Sequence, residues 1–437
     1  MSVRRRARRP ALASRRTALA GLAAGLALAL AACGGSPVDA DGGPTPVDSA
    51  PRLPPGTPAP AQLTAAESRT IQATNDFSLA LFREVSRLRS GRTLFISPYS
   101  AAVALGMTLN GAGGTTAEAM QRALGVSGRT LAEVNESHRL LAHRLVAADT
   151  SVRFVSANAI FHDRALTFEP AFFDTTRKYF DAQVEALNFA DAAATLARVN
   201  GWARDRTNGR IERILDEVRA GDQAMFLVNA LYFKGGWSSP FPTASTRREP
   251  FTRADGGTQT VDMMSHRSMY PYWRGPDLEA VELPYGAGRF AMTVVLPGAG
   301  RTLDQLVASL SADRWRQLTD SLRPRDLQLS LPRFTLTYED EWKDVLTAMG
   351  MGIAFQGGLA DFTRMSPAGK RLFIEFVKQK AFVGVNEKGT EAGAVTTVGV
   401  GIVSMPQELK VDRAFVFAIR ERTTGALLFV GKVTAIP

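Results

Sequence analysis

The stretch Glu387-Lys388-Gly389-Thr390-Glu391-Ala392-Gly393-Ala394-Val395-Thr396-Thr397-Val398-Gly399-Val400-Gly401-Ile402-Val403-Ser404 decides the reading of this chain. Only Glu387, Lys388 and Glu391 carry charge, and the stretch holds neither proline nor aromatic residue. A β-rich segment so apolar and so sparsely charged is an aggregation hazard if it stays permanently exposed. By composition alone it reads as a buried strand with a Gly-rich turn. Successive residues of a strand face opposite sides. Thr390, Ala392, Ala394, Thr396, Val398 and Val400 therefore share one face, all small or β-branched and none charged. Strand-like Phe415-Val416-Phe417-Ala418-Ile419 and Leu427-Leu428-Phe429-Val430 close the chain.

Towards the N-terminus, Asn75-Asp76-Phe77 and Phe95-Ile96-Ser97-Pro98-Tyr99-Ser100 come first, followed by Gly111-Ala112-Gly113-Gly114-Thr115-Thr116 with Met120 and Leu124. Then come Phe226-Leu227-Val228-Asn229-Ala230-Leu231-Tyr232-Phe233-Lys234-Gly235-Gly236-Trp237, Leu331-Pro332-Arg333-Phe334 and Leu428-Phe429-Val430-Gly431-Lys432-Val433. In this order, and with the hinge-like Glu387 to Ala394, the motifs resemble those of serpins, the serine protease inhibitors. The resemblance implies an α+β serpin-like fold: a large mixed or antiparallel main sheet, further sheets, helices packed around it and an exposed reactive-centre loop. It assigns Glu387, Gly389, Thr390, Ala392, Gly393 and Ala394 to the loop's hinge. Ser97, Ser100, Asn229 and Gln379 go to the shutter that governs sheet opening, and Trp237 to the region where the sheet opens. The family commonly has histidine where Gln379 stands; glutamine donates and accepts hydrogen bonds but does not titrate. Ala414 stands where proline is usual, and Gly393 where alanine is common.

The resemblance also implies suicide inhibition, in which a protease acylated by the bait bond is trapped as the cleaved loop inserts into the main sheet. Strand addition and release of stored strain are recorded uses of this loop. The scissile residue of a standard loop lies sixteen places after the hinge glutamate, at Val403. Counting back from Phe415 through Pro406 gives the same bond, Val403–Ser404. Ile402-Val403 suits an elastase-like protease, with Met405 as a fallback for a chymotrypsin-like one; no Arg or Lys lies between Lys388 and Lys410 to suit a trypsin-like one. The competing function is a non-inhibitory serpin, a carrier or chaperone, whose hinge tends to hold bulky, charged or proline residues.

The formal charge of +10 points to nucleic acid only until its location is read. Seven arginines precede Cys33 and no acidic residue does; removing them from 52 Lys+Arg leaves 45 against 42 Asp+Glu. That balance gives no support to a polyanion partner. The arginines and the uncharged run Thr17 to Ala32 read as a targeting segment, too short to span a bilayer comfortably. Leu30-Ala31-Ala32-Cys33 resembles a bacterial lipobox, which implies a signal peptide over 1–32 and a lipidated Cys33 that anchors the chain to the cell envelope. Gly34 after it favours the outer membrane. Cys33 is the only cysteine, so no intrachain disulfide forms. Residues 34–62 hold 8 Pro and 5 Gly in 29 positions and no aromatic, a tether without a core. One domain is expected over 63–437, as a monomer.

Locally, Thr64-Ala65-Ala66-Glu67 reads as a capping box, with Phe77, Leu81, Val85 and Leu88 on one helical face. Ser97-Pro98 opens a helix running to Asn110-Gly111, and Thr115 with Glu118 caps another that stops at Leu124-Gly125. Leu327, Leu329 and Leu331 mark a strand, and Leu372 to Asn386 a long extended run. Enzyme chemistry finds no constellation. His138 and His143 are five apart, wrong for paired ligands on one helical face, and no Cys cluster joins them or His162 and His266. No Gly-x-Ser-x-Gly elbow occurs, Gly298-Ala299-Gly300 lacks the rest of a phosphate loop, and Ser97 is a cap rather than a nucleophile. No cofactor or metal is expected.

Overall fold

The computed structural model describes residues 62–219, 221, 223–390 and 407–437. The first helix, α1 (Ala65–Leu88), opens with the expected box: the Glu67 amide donates to Thr64 Oγ1, and the Thr64 amide donates to Glu67 Oε2. Phe77, Leu81 and Val85 are buried beneath it. Ser97 caps α2 (Pro98–Gly111), with proline in the first turn, where its missing N–H costs nothing. The next helix, α3 (Gly114–Ala123), departs from expectation. Its cap is Gly113, without a side-chain bond, and Thr115 falls inside the first turn. The Gly113 amide donates instead to the Asp361 carbonyl, so a contact distant in sequence sets the helix start. There follow α4 (Leu131–Ala147), α5 (Pro170–Phe180) and α6 (Ala192–Arg206).

The strands, in chain order, are β1 (Leu94–Ile96), β2 (Arg153–Asp163), β3 (Ala182–Leu187), β4 (Met225–Gly236), β5 (Arg247–Thr252), β6 (Thr258–Arg274), β7 (Leu278–Tyr285) and β8 (Phe290–Pro297). Then come β9 (Arg323–Pro332), β10 (Phe334–Glu341), β11 (Lys378–Asn386), β12 (Gly389–Thr390), β13 (Gln407–Lys410), β14 (Phe415–Glu421) and β15 (Leu427–Val433). The extended run was expected from Leu372, but pairing begins only at Lys378, opposite Glu341 at the end of β10. Before it, Ile374 donates to the Ala354 carbonyl, in a 3-10 helix (Gly352–Phe355), and the Val377 carbonyl accepts from Trp342, which caps the short helix Lys343–Leu346, so these backbone groups bond to helical turns rather than to a strand.

Two sheets form. One has the order β1-β15-β14-β8-β7-β6-β9-β13, with β5 paired to β6. The other is mixed, in the order β10-β11-β12-β4-β2-β3, parallel only between β2 and β3. On its inner face Gln379, Ala381, Val383 and Val385 alternate with outward residues along β11. On its outer face Val155, Ala157, Phe161, Phe226 and Val228 form a separate apolar cluster with Val199 and Trp202 of α6 and with Ile211, Leu215 and Val218 beyond it. The segment after α6 therefore lies across the sheet.

Candidate functional site

The hinge begins where β11 ends. The carbonyls of Glu387 and Lys388 accept from Phe241 N–H (2.8 Å) and Trp237 N–H (2.9 Å), and Trp237 Nε1 donates to the Asn386 carbonyl at 2.9 Å. The Glu387 carboxylate is buried, accepts from Thr246 Oγ1 at 2.8 Å and lies 3.6 Å from Arg333. Gly389 turns with φ 145°, a region that disfavours any residue with a Cβ. Gly389 and Thr390 then pair on both sides, with Asn386 and Val385 of β11 and with Gly236 and Gly235 of β4.

Thr390 is 2 % exposed, and its Oγ1 lies 2.6 Å from the Tyr285 hydroxyl. Burial pushes the Tyr285 phenol well above its ordinary range, so it stays protonated. The Tyr285 ring stacks on Trp237 at 4.4 Å and 16°, directly beneath Gly235, where a Cβ would approach it to 3.1 Å. Trp237 thus holds the base of the hinge and, through Tyr285, its tip. The first hinge residues were expected in an exposed loop; Gly389 and Thr390 instead form a strand inside the sheet. Two backbone partners and a buried hydroxyl pair offset the ordering entropy of so short a strand.

Below Thr390, among the described residues, no strand joins β4 to β11. A cavity of about 200 Å³ occupies the seam, lined by Ser100, Ala104, Asn229, Trp342, Gln379 and Leu215 among others. Gln379 grips one backbone unit: its Oε1 accepts from Ser97 N–H at 2.7 Å and its Nε2 donates to the Ser97 carbonyl at 2.9 Å. Ser97 Oγ donates to the Leu428 carbonyl at 2.8 Å and accepts from Ser100 N–H at 3.2 Å. Asn229 does not join this group. Its amide donates to Asn158 Oδ1 at 2.7 Å, and its own buried Oδ1 has no partner among the described residues. The open seam keeps the β4 side of the expected cluster apart from the β11 side. Ala392, Gly393, Ala394, Val403, Ser404 and Cys33 lie outside the described residues.

Tyr285, Asn158 and the segment after α6 join the site without belonging to any of the motifs. Asn158 carried a signal, an amide inside the apolar run Ala157-Asn158-Ala159-Ile160-Phe161, because a buried amide needs a partner. Tyr285, between Pro284 and Gly286, carried none. The segment after α6 grips the β11 side by charge: Asp216 pairs with Lys378, Arg219 with Glu375, and Gln223 Nε2 donates to Glu375 at 2.9 Å. Arg210 lies over the Phe382 ring at 4.8 Å.

Among the described residues, no strand pairs with the facing edges of β4 and β11 below the hinge, and a sheet edge of that kind is where an added strand finds backbone partners. The family model for serpins (serine protease inhibitors) matches residues 72–436. The chain is 32 % identical over 373 residues to an uncharacterized serpin-like protein of Thermococcus kodakarensis, covering 84 % of this chain and 86 % of that protein. It is 32 % identical to the leukocyte elastase inhibitor of Sus scrofa, covering 86 % and 99 %. The native-state structure of the thermophilic serpin tengpin superposes with a TM-score of 0.77 at 28 % identity, covering 87 % of this chain and 97 % of that one. With its motifs in order, its two sheets and a family match over most of its length, this chain belongs to the serpins.

Proposed function

We propose that this serpin is an inhibitor that traps elastase-like serine proteases by inserting its cleaved loop between β4 and β11, with Val403–Ser404 as the bait bond. The pairing of Gly389 and Thr390 with both β4 and β11 carries the reading. It supplies the register for further insertion, and the small residues from Ala392 to Val400 suit the buried face. About 14 inserted residues at roughly 0.5–1.5 kcal/mol of net hydrogen bonding each give on the order of 10 kcal/mol. That is comparable to the stability of a whole domain. At about 3.3 Å per residue, the acylated protease travels about 45 Å. Likeness to leukocyte elastase inhibitors supports the target class. Cys33 serves as the lipid attachment that holds the inhibitor at the cell envelope.

The test is to mix the protein with elastase-, chymotrypsin- and trypsin-like proteases and run denaturing gels. A covalent complex with the elastase-like enzyme, and a released peptide Ser404 to Pro437, are expected. Val403→Arg redirects trapping to the trypsin-like enzyme, and Cys33→Ser abolishes partition into detergent. Cleavage without any covalent complex supports the carrier reading instead, and a peptide beginning at Pro406 displaces the bait bond.

A further inference from the structure

We infer that Tyr285 is the positioning residue that seats the hinge: its hydroxyl, held under Gly235 by stacking on Trp237, captures Thr390 and keeps the first strand pair of the insertion formed before any protease arrives. Nothing in the sequence motifs marks this residue, and the inference rests on the inhibitory reading only for its consequence, not for the contact itself.

The geometry is specific. Tyr285 is fully buried at the end of β7 and forms an isolated bridge with Trp237, while the Gly286 amide donates to the Gly236 carbonyl at 2.8 Å. The strand end is therefore tied to the tip of β4, and the ring has no freedom to follow a moving hinge. Phe233 also packs edge-on against the ring, with the centroids 5.0 Å apart. Among the described residues, Thr390 Oγ1 is the hydrogen-bond partner of the Tyr285 hydroxyl, at 2.6 Å. Remove one hydroxyl and the other is left buried without a partner, which costs more than the bond itself contributes. Remove both and the site becomes apolar, with little penalty. Thr390 has an escape that Tyr285 lacks, because it can leave the sheet with the loop.

The consequence lies in the race after acylation. A seated hinge starts insertion with its first pairs already made; an unseated one must form them while deacylation proceeds. Tyr285 therefore acts on the partition between trapping and turnover, not on recognition of the bait.

Four proteins decide the matter: the parent, Tyr285→Phe, Thr390→Val and the double variant. The first readout needs no protease, namely deuterium exchange of the peptide spanning Gly389 and Thr390, set against a reference peptide from β14. Tyr285→Phe is expected to speed exchange at the hinge by about tenfold while β14 is unchanged, and adding Thr390→Val is expected to return it towards the parent. The second readout is the reaction with an elastase-type serine protease. Tyr285→Phe is expected to raise the number of inhibitor molecules consumed per protease trapped several-fold, with the rate of loop cleavage unchanged, and the double variant to recover. Parent-like exchange in Tyr285→Phe, or a double variant no better than the single, overturns the inference. A parent that traps no protease defeats the inhibitory reading, while the exchange result still decides the role of Tyr285.

Discussion

Asn229 and Gln379 stand at the same level on opposite sides of the open seam. Thr390 pairs with Gly235 of β4 and Val385 of β11, and six residues further along each strand lie Asn229 and Gln379. Both point to the inner face: Gln379 bonds to Ser97, while Asn229 keeps its Oδ1 unpartnered among the described residues.

If the loop continues in the register of Thr390, Thr396 arrives at that level on the same face, with a hydroxyl that can donate to Asn229 Oδ1. Thr396→Val is then expected to lower the stability of the cleaved, inserted form by about 1–2 kcal/mol. The uncleaved form should keep its unfolding midpoint. Guanidinium unfolding of both forms provides the measurement, and an unchanged cleaved form would rule this register out.

Thr390 is almost wholly buried on the apolar side of the sheet. Thr390→Arg puts a guanidinium there at a cost of several kcal/mol, so the hinge is expelled from its place between β4 and β11 and insertion must start without it. The variant is expected to be cleaved as a substrate while the protease survives. Glu391→Arg, on the opposite strand face by alternation, is expected to do much less. Complex yield and turnover number for the two variants make the comparison; equal, undiminished yields would defeat insertion as the mechanism.

The segment after α6 rests on β2 and β4 through apolar side chains but holds β11 and the run leading into it through ion pairs, Asp216 with Lys378 and Arg219 with Glu375. Ile214 and Leu215 of that segment line the seam, so an incoming strand must shift it. Partly exposed ion pairs are worth up to about 1 kcal/mol and are screened by salt. Asp216→Asn is expected to speed insertion by up to about fivefold, and raising the parent to about 0.5 M salt to narrow the difference. Stopped-flow fluorescence of a labelled loop gives the rate. Equal rates at low salt would show that this segment does not gate the sheet.

His138 is buried against Phe180, and desolvation, helped by Arg129, pushes it down to about 4. In the unfolded chain a histidine takes up its proton near 6.5. Between those values the unfolded state binds more protons, so stability is full above about pH 6.5 and falls as the pH drops towards 4, by about 3 kcal/mol. Urea unfolding at pH 7 and pH 4.5 measures the loss. His143, His162 and His266 are also pushed down by burial and add to it. His138→Gln is expected to remove the largest single share; a pH response identical to the parent's would place that share elsewhere.

Whatever depends on residues close together in the chain was legible before folding. Thr64 and Glu67 cap α1 reciprocally because three residues bring them together on one turn, and Ser97-Pro98 opens α2 because a cap and a first-turn proline need nothing from elsewhere. The alternation of Leu327, Leu329 and Leu331 in β9 and the family motifs were legible for the same reason, as local patterns repeated in order. The rest depends on which strands become neighbours. The start of α3 is set by Asp361, far along the chain, and β11 begins where β10 can pair with it rather than where the extended run begins. Asn229 and Gln379 resembled members of one shutter, yet the open seam places them on separate banks with separate partners. Tyr285 had no sequence signal at all, because its role comes from a hydroxyl meeting Thr390 across two strands that β12 joins. Local propensity acts within a few residues, whereas the hinge is defined by contacts between β4, β7 and β11, which only the folded sheet brings within hydrogen-bond reach.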